Sequence, residues 1–337
     1  MTAASTLILS RAQIRRLASA RDYRRAVEAA FLALARGEIT TLPVGHVPGV
    51  EGGFHLKAAV ATAAPRWAVI KINGNFPRNP QQFGLPTIQG CLVLSDALDG
   101  RLLAVMDSIE ITAQRTAAAS ALAAQHLARR GSRRLALIGC GTQADYHFDA
   151  FQALDEFALR ELRCFDPDRG RAGRLRDRAI AAGWESQVCE SVAEACREAD
   201  LIVTCTPSAQ PLLELDMVRR GSFVAAIGAD NPSKCEIAPT LLRQARVVPD
   251  LVAQAATLGD LRAAIEAGVM TAGDIHAELA DVVSGTRPGR RNDDEIIVFD
   301  STGSAIQDLA AASLIFQRAS SDPGAMRVAL NADGAQD

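Results

Sequence analysis

The stretch that decides the fold is RRLALIGCGTQA, residues 133–144. An apolar strand, LALI, runs into GCGTQA, which fits the pattern G-x-G-x-x-A, and the helical segment TQADYHFDAFQAL follows. The glycines of this pattern allow a tight turn and a close backbone approach to a pyrophosphate, while the first amides of the helix face the phosphates. The stretch therefore predicts a dinucleotide site that includes Gly139, Gly141, Thr142 and Gln143.

Strands and helices alternate downstream of this turn. Apolar strands recur at intervals of about 25–30 residues, with helical segments between them, which is typical of a parallel, doubly wound sheet. The sequence thus predicts an α/β fold with a Rossmann-type domain at residues 126–298. The segments predicted as strands are LRELRCFDP, SQVCES, DLIVTCTPS, GSFVAAIGAD, ARVVPD and EIIVFD.

Asp166 ends the second of these strands, where a carboxylate can bind the ribose hydroxyls of a dinucleotide. An acid there favours NAD, because it would repel the 2′-phosphate of NADP. Arg169 and Arg171 follow closely and can accommodate that phosphate, so NADP stays possible. Thr204 and Thr206 end a later strand and are predicted to edge the cofactor, the alternative being an ordinary capped strand end.

The remaining sequence predicts a smaller α+β domain. Residues 11–37 have helical spacing that stops at Gly37, and residues 38–106 contain short apolar runs separated by Gly, Pro and Asn, with a hairpin turn at DALDG, 96–100. An alanine-rich helix is predicted at 110–130. Residues 319–337 lack periodicity and are predicted to be frayed or disordered.

Composition excludes several classes of function. The net charge of the 337-residue chain is −3, which argues against a nucleic-acid partner, and no long apolar run predicts a membrane span. The seven cysteines include no Cys-x-x-Cys, and the first residues lack the pattern of a secretory signal, so we expect reduced thiols, no metal site and a cytoplasmic protein.

Of 36 basic residues only Lys57, Lys71 and Lys234 are lysine. Codon bias explains the scarcity; the three that remain mark sites where a compact point charge is needed.

Six stretches in this order resemble the ornithine cyclodeaminase/μ-crystallin family. The resemblance implies a homodimer whose subunits each have a nucleotide-binding domain and a discontinuous domain for substrate and dimerisation, residues 1–125 and 299–320, leaving 321–337 as a tail. It also implies hydride transfer between a nicotinamide and the α-carbon of an amino or imino acid. The stretches are VIKINGNFPRN (69–79), GLPTIQGCLVLSDALDGRLLAVMD (84–107), ITAQRTAAASALAAQHLAR (111–129), GCGTQA, IGADNPSKCEI (227–237) and FDSTGSAIQDLA (299–310).

The same resemblance assigns roles to individual residues. Lys71 and Arg115 match the residues that bind the substrate carboxylate, with Lys71 counted as catalytic too, and Asp230 matches the catalytic acid/base. A raised carboxyl pKa beside an apolar wall suits such a role. The alternatives are that Lys71 is a surface lysine, that Arg115 forms an ion pair on a helix face and that Asp230 is a turn residue. Positions at the edge of the cofactor or substrate are Thr87, Thr116, Lys234 and Ser301.

The chain departs from the family pattern on one strand. Val44 stands where relatives often have an arginine that binds carboxylate, and His55 stands where ornithine cyclodeaminase has a glutamate. Lys57 shares a strand face with His55 and is predicted to supply the missing cation. These changes put ornithine itself in doubt.

We therefore predict an NAD(P)-dependent, ornithine cyclodeaminase-like enzyme that converts L-ornithine into L-proline and ammonia. The alternative is a cyclic imine (pyrroline-2-carboxylate) reductase or amino-acid dehydrogenase with net cofactor turnover. A binding protein that has lost catalysis is least favoured, because Lys71, Arg115 and Asp230 form a complete set.

Overall fold

The structure, a computed structural model, describes residues 5–330. Fifteen strands lie within this range and form two sheets. The strands are β1 (Thr6–Leu9), β2 (Ile39–Thr41), β3 (Gly45–Pro48), β4 (Gly53–Ala61), β5 (Trp67–Asn75), β6 (Ile88–Asp96), β7 (Leu102–Asp107), β8 (Arg134–Ile138), β9 (Glu161–Phe165), β10 (Glu185–Val188), β11 (Leu201–Thr204), β12 (Phe223–Ala226), β13 (Arg246–Pro249), β14 (Ile297–Asp300) and β15 (Met326–Val328).

Twelve α-helices occur within residues 5–330, none of them long and apolar enough to cross a membrane. They are α1 (Arg11–Leu17), α2 (Ala20–Ala35), α3 (Asn79–Gln82), α4 (Ser108–Leu127), α5 (Thr142–Gln152), α6 (Arg169–Ala181), α7 (Val192–Cys196), α8 (Pro239–Gln244), α9 (Val252–Leu258), α10 (Asp260–Glu266), α11 (Leu279–Val283) and α12 (Ala305–Ser320). Single 3-10 turns occur at Leu215–Met217 and Ala272–Asp274.

One compact unit, Thr116–Ser304, contains seven parallel strands in the order β10-β9-β8-β11-β12-β14-β13. The chain steps outward from β8 to β10 and then returns to the other side of β8 at β11. Strand order reverses at that point, which is where ligands bind in such sheets, outside the carboxyl ends of the strands. The predicted parallel, doubly wound α/β fold is confirmed, and the glycine turn lies at the carboxyl end of β8.

The other unit runs to Arg115 and resumes at Ala305. Its sheet has the order β15-β1-β7-β6-β5-β4-β2, with β3 paired to β4; β1 and β7 are parallel and the other pairs antiparallel. Helices α2 and α12 cover one face. They bury Tyr23, Phe31 and Ile306 with Val69 and Leu92 of the sheet, and each large apolar side chain buried contributes about 1.5–3 kcal/mol.

Residues 11–37 form two helices, not one continuous helix. Ser19 interrupts them because its side chain accepts a hydrogen bond from Asp22 N at 3.3 Å, while the Asp22 carboxylate accepts one from Ser19 N at 2.9 Å. This reciprocal cap starts α2 afresh. Gly37, with φ of +72°, follows the end of α2, as its sequence position predicts.

The carboxyl-terminal segment corrects one expectation. Helix α12 continues to Ser320, and β15 pairs antiparallel with β1, so residues 319–330 are not the frayed segment that was predicted. Three strand residues are too few to show a periodicity, and the pairing partner lies far away in sequence. Residues 331–337 lie outside the described range. The boundaries of the two units fall at 115/116 and 304/305, whereas the sequence prediction placed them at 125/126 and 298/299.

Candidate active site

The glycine turn has the geometry of a phosphate-binding loop. Gly139 has φ of +88°, which favours glycine, and a Cβ there would lie 2.8 Å from Thr206 Cγ2. Gly141 is the N-cap of α5, and nothing among the described residues lies within 4 Å of the position of its absent Cβ. No described side chain caps this helix, so its first amides are available to an anion.

Asp166 braces this turn from the next strand. Its Oδ2 accepts a hydrogen bond from Cys140 N at 2.7 Å and its Oδ1 accepts one from Asp168 N at 2.8 Å. A carboxylate has further lone pairs, so both contacts leave room for ribose hydroxyls. A cavity of about 330 Å³ adjoins the turn and is lined by Gly141, Thr142 and Arg171, among others.

Two buried polar atoms near the strand ends lack partners among the described residues: Gln143 Oε1, in the first turn of α5, and Ser301 Oγ, directly after β14. Buried polar atoms are normally hydrogen-bonded, so these two atoms are open to a hydrogen bond from a ligand. The open space at Gly141 and the free helix amides point the same way. The residues of this unit therefore fit a dinucleotide.

Glu236, which the sequence analysis missed, ties together two predicted cofactor residues. Its carboxylate accepts hydrogen bonds from Thr204 Oγ1 and Thr206 Oγ1, each at 2.7 Å, and from Gly228 N at 2.7 Å. Both threonine hydroxyls are therefore already hydrogen-bonded to Glu236, which connects the end of β11 to the residues after β12. Burial, and after it the charge of Asp260, raise the pKa of Glu236 to about 7.

Asp230 lies four residues beyond β12, in the loop that also contains Lys234. The Lys234 Nζ atom donates a hydrogen bond to Asp230 Oδ1 at 2.7 Å. The Asp230 side chain is 52% exposed, so it does not sit against the apolar wall that its predicted role suggested. The Asp230 carboxylate remains accessible to a substrate, and its ion pair with Lys234 holds it in position.

Lys71, Arg115 and Asp308 form a buried ion cluster in the unit that ends at Arg115 and resumes at Ala305. Asp308 Oδ1 accepts hydrogen bonds from Lys71 Nζ and Arg115 Nε, both at 3.0 Å, and Arg115 Nη1 donates to Gln307 Oε1 at 2.7 Å. The side chains of Lys71 and Asp308 are 3% and 0% exposed. Sequence analysis named the two cations but not Gln307 or Asp308.

The charges of this cluster act strongly on one another. Burial lowers the pKa of Lys71 to about 7; Asp308 opposes this effect, while Arg115 and Lys57 add to it. Burial would raise the pKa of Asp308, but Lys71, Arg115 and Lys57 together hold it below its usual value. Asp308 Oδ2 has no hydrogen-bond partner among the described residues. Three cations, Lys71, Arg115 and Lys57, thus act on this carboxylate.

Lys57 and His55 lie beside this cluster on β4. Lys57 is the register partner of Lys71 on β5, and His55 is the partner of Asn73. The His55 ring lies 5.0 Å from that of His46 on β3. Lys57 therefore lies directly across from Lys71, and its contribution to substrate binding stays a prediction.

Two further predicted positions, Thr87 and Thr116, make hydrogen bonds through their backbone carbonyls. The carbonyl of Thr87, just before β6, accepts a hydrogen bond from Phe76 N at 2.8 Å. Thr116 is buried in α4, where its carbonyl accepts one from Ser120 Oγ at 3.2 Å. Within residues 5–330, no group of three or more His, Cys, Asp or Glu side chains is arranged to hold a metal ion.

Comparison with known proteins places the chain in a family. The profile of the ornithine cyclodeaminase/mu-crystallin family matches residues 4–323. An alanine dehydrogenase of Archaeoglobus fulgidus is 35% identical over 93% of this chain and 95% of that protein. An iminosuccinate reductase of Paracoccus denitrificans is 34% identical over 87% and 90%. The solved dimer of an archaeal alanine dehydrogenase with bound NAD superposes with a TM-score of 0.91 at 34% identity, covering 96% of this chain and 99% of that one. The chain belongs to the ornithine cyclodeaminase/mu-crystallin family.

Proposed function

We propose that this protein is an NAD-dependent oxidoreductase that transfers hydride between a nicotinamide and the α-carbon of an amino or imino acid, with net turnover of the cofactor. The observation that carries the proposal is the buried cluster of Lys71, Arg115 and Asp308. Lys71 and Arg115 are two buried cations that share one carboxylate oxygen of Asp308, so they can also bind a second carboxylate, that of the substrate. The same chain has the glycine turn of a dinucleotide site, and its named relatives include a dehydrogenase and a reductase.

The cofactor-binding side favours NAD over NADP. The amides after Gly141 would bind the pyrophosphate, and Asp166 would bind the ribose. Arg171 lies 3.3 Å from Asp168, and Arg169 lies 2.6 Å from Glu190, so both arginines already have acidic partners. A 2′-phosphate would have to compete with these partners and with the charge of Asp166.

Each charged residue then has one task in the reaction. When bound, the nicotinamide would supply a hydride to the imine carbon or accept one from the α-carbon of the amine. Lys71 and Arg115 hold the substrate carboxylate and thereby fix the α-carbon in one orientation, which removes much of the entropic part of the barrier. Asp230 delivers or removes the proton at the substrate nitrogen, and Lys234 keeps the Asp230 carboxylate in place.

The alternative predicted from sequence, an ornithine cyclodeaminase, needs a site for the second amino group of the substrate. Lys57 lies directly across from Lys71 on the strand face beside the buried ion cluster, and a second ammonium near this face would meet its charge. Like charges repel at such distances, so a diamine is disfavoured there. This observation favours an oxidoreductase with net turnover.

The uncovered face of the β4–β7 sheet supports a homodimer. Ile70 and Ile72 on β5 and Val60 on β4 are 47%, 38% and 38% exposed, and they alternate with residues that point into the core. A strip of this kind on a paired sheet suits association with a second copy of the chain. Light scattering after gel filtration should give twice the chain mass, and Ile70→Glu should shift it to the monomer; a monomeric wild type would refute the homodimer.

A substrate panel tests the activity. Purified protein with NADH is mixed with pyrroline-2-carboxylate or with α-keto acids plus ammonia, and absorbance at 340 nm is followed; L-ornithine with NAD⁺ is assayed for ammonia. We expect net NADH oxidation with at least one imino acid. Ammonia release from ornithine without net change in NADH would show a cyclodeaminase instead, and inactivity throughout would refute both enzymes.

A further inference from the structure

Building on the proposed proton transfer by Asp230, we propose that the first turn of α10 positions the Asp230–Lys234 pair. Arg262 is the positioning residue, and it acts through the backbone carbonyl of Lys234. It does not need to touch the substrate or the cofactor for this role. It fixes the part of the chain from which Lys234 reaches the Asp230 carboxylate.

The loop between β12 and α8 has two halves that are held differently. In the first half, Asp230 is 52% exposed, and Asn231 Oδ1 accepts hydrogen bonds from Ser233 N at 3.0 Å and Ser233 Oγ at 2.6 Å. In the second half, residues 235–238 are buried. Lys234 lies where the halves meet, and its Nζ atom donates to the Asp230 carboxylate at 2.7 Å. A displacement of Lys234 would therefore change the surroundings of that carboxylate.

Two side chains in the first turn of α10 hold the second half of this loop. Arg262 Nη2 donates a hydrogen bond to Lys234 O at 3.1 Å. Asp260 Oδ1 accepts hydrogen bonds from Glu236 N at 2.7 Å and Ile237 N at 3.0 Å. The Asp260 residue is fully buried, and the Arg262 side chain is 13% exposed. Hydrogen bonds to charged groups are stronger in such surroundings than in water, so these contacts hold the loop firmly.

The first turn of α10 is itself fixed on the sheet. The Asp300 carboxylate, at the end of β14, accepts hydrogen bonds from Asp260 N at 3.3 Å and Leu261 N at 2.8 Å. Amides at this end of a helix have no partner within the helix, and Asp300 supplies one. The approach is close, because a Cβ at Gly259 would lie 2.6 Å from Asp300 Oδ1. A continuous series of contacts thus connects β14 through α10 to Lys234.

A second contact of Arg262 provides a matched control. Its guanidinium also forms an ion pair with Glu266, one turn along α10, and the Glu266 side chain is 62% exposed. Exposed ion pairs of this kind contribute little to stability. Glu266→Gln removes this ion pair and leaves the hydrogen bond to Lys234 O in place, whereas Arg262→Met removes both.

The kinetic test is a double-mutant cycle with NADH and the imino acid that the protein turns over. Arg262→Met should lower kcat five- to thirtyfold, because a misplaced proton donor slows the chemical step. KM and the NADH Kd should change less than threefold, since the interaction with Asp230 is used in the transition state. Lys234→Met should lose at least as much, and the double variant should lose less than twofold more than Lys234→Met. Glu266→Gln should behave as wild type.

A second measurement does not depend on turnover. The chain has three lysines, so protein labelled with ¹³C at lysine Cε gives three NMR signals, and Lys234→Arg identifies one of them. Asp230→Asn shows where the Lys234 signal lies when the ion pair is broken. Arg262→Met should move the signal at least halfway to that position, and Glu266→Gln should leave it in place. Arg262→Gln, with the same expectation, replaces Arg262→Met if the latter does not fold.

The outcomes separate this inference from the proposed function. An unmoved Lys234 signal in Arg262→Met, kcat losses that multiply in the double variant, or a lower Tm with unchanged kcat would overturn the positioning role and leave the oxidoreductase intact. A Lys234 signal that Asp230→Asn does not change would also overturn it, because the pair would not exist in solution. A wild type without turnover would count against the proposed function, and a moved Lys234 signal in Arg262→Met would still support the hold of Arg262 on the pair.

Discussion

The two candidate sites of this protein are made from different parts of the chain. The nucleotide site is made mainly of backbone: the turn at Gly139 and Gly141, the first amides of α5 and a carboxylate that braces them. The carboxylate site is made of buried charges, and its central pair, Lys71 and Asp308, is separated by 237 residues in sequence. Backbone amides serve any dinucleotide, whereas side-chain charges choose the substrate.

Lys71→Met should have the largest effect and should be confined to one site. Lys71→Met removes one of the two cations that bind the substrate carboxylate, which typically costs about 2–5 kcal/mol, so kcat/KM should fall roughly 30- to 5,000-fold. The NADH dissociation constant, measured by fluorescence, should change less than threefold, and Arg36→Met serves as control. Loss of NADH binding in Lys71→Met would mean that the two sites are not separable in this way.

Gly139→Ala should impair the cofactor site, in contrast to Lys71→Met, which should impair the carboxylate site. Its Cβ would meet Thr206 Cγ2 at 2.8 Å and Cys205 O at 2.9 Å, in a backbone conformation that costs about 1–3 kcal/mol for a residue other than glycine. NADH should therefore bind roughly 10–100-fold more weakly. Gly173→Ala is the control, because no atom of residues 5–330 beyond its own helix backbone and chain neighbours lies within 4 Å of the position of its added Cβ. Unchanged NADH affinity in Gly139→Ala would remove the glycine turn from the cofactor site.

The carboxylate site should also be the pH-sensitive one. The pKa of Lys71 is about 7, so its ammonium is present below that pH and is lost as pH rises. Substrate binding needs the ammonium, and kcat/KM should therefore fall up to about tenfold per pH unit above 7. Lys71→Arg, which stays charged, should lose this fall although its activity is lower. A wild-type profile that is flat to pH 9, or an unchanged fall in Lys71→Arg, would contradict the assignment.

Glu236 should give the smallest effect, in stability and not in substrate binding. Its pKa is about 7 in the folded state against an ordinary 4.5, so between these values the folded protein holds a proton that the unfolded chain has released. Stability therefore falls as pH rises from 4.5 to 7. Between pH 5 and 8, wild type should lose a few °C more in Tm than Glu236→Gln, with the exposed Glu266→Gln as control. Equal pH slopes would show that Glu236 does not titrate in this range.

The sequence predicted the nucleotide site, which is made mainly of backbone, more fully than the site made of buried side-chain charges. The glycine turn, the parallel strands and Asp166 depend on short, continuous patterns, and the structure has them where they were expected. Asp308 and Glu236 were missed because a carboxylate in an apolar helix or after a loop has no local signature. Their partners come from distant elements, which only the fold brings near. One available signal was the interior acid in FDSTGSAIQDLA, an unfavourable residue for a buried helix unless it is paired.

The scarcity of lysine proves informative in this light. Lys71 is paired with Asp308, Lys234 with Asp230, and Lys57 lies opposite Lys71. Exposed ion pairs elsewhere, such as Arg36–Glu38 and Arg169–Glu190, are made by arginine. The sequence predicted this distribution as a contrast between surface and site; the substrate roles of the three lysines remain predictions.

The most direct measurement follows the hydride. The protein is incubated with the imino acid that it turns over and with NADH deuterated at C4, on either face in separate samples, and the amino acid product is examined by mass spectrometry and proton NMR. The account predicts one deuterium at the α-carbon from one of the two labelled cofactors, with one NAD⁺ formed for each product molecule. Product without deuterium in both samples, or product formed without matching NAD⁺, would contradict it.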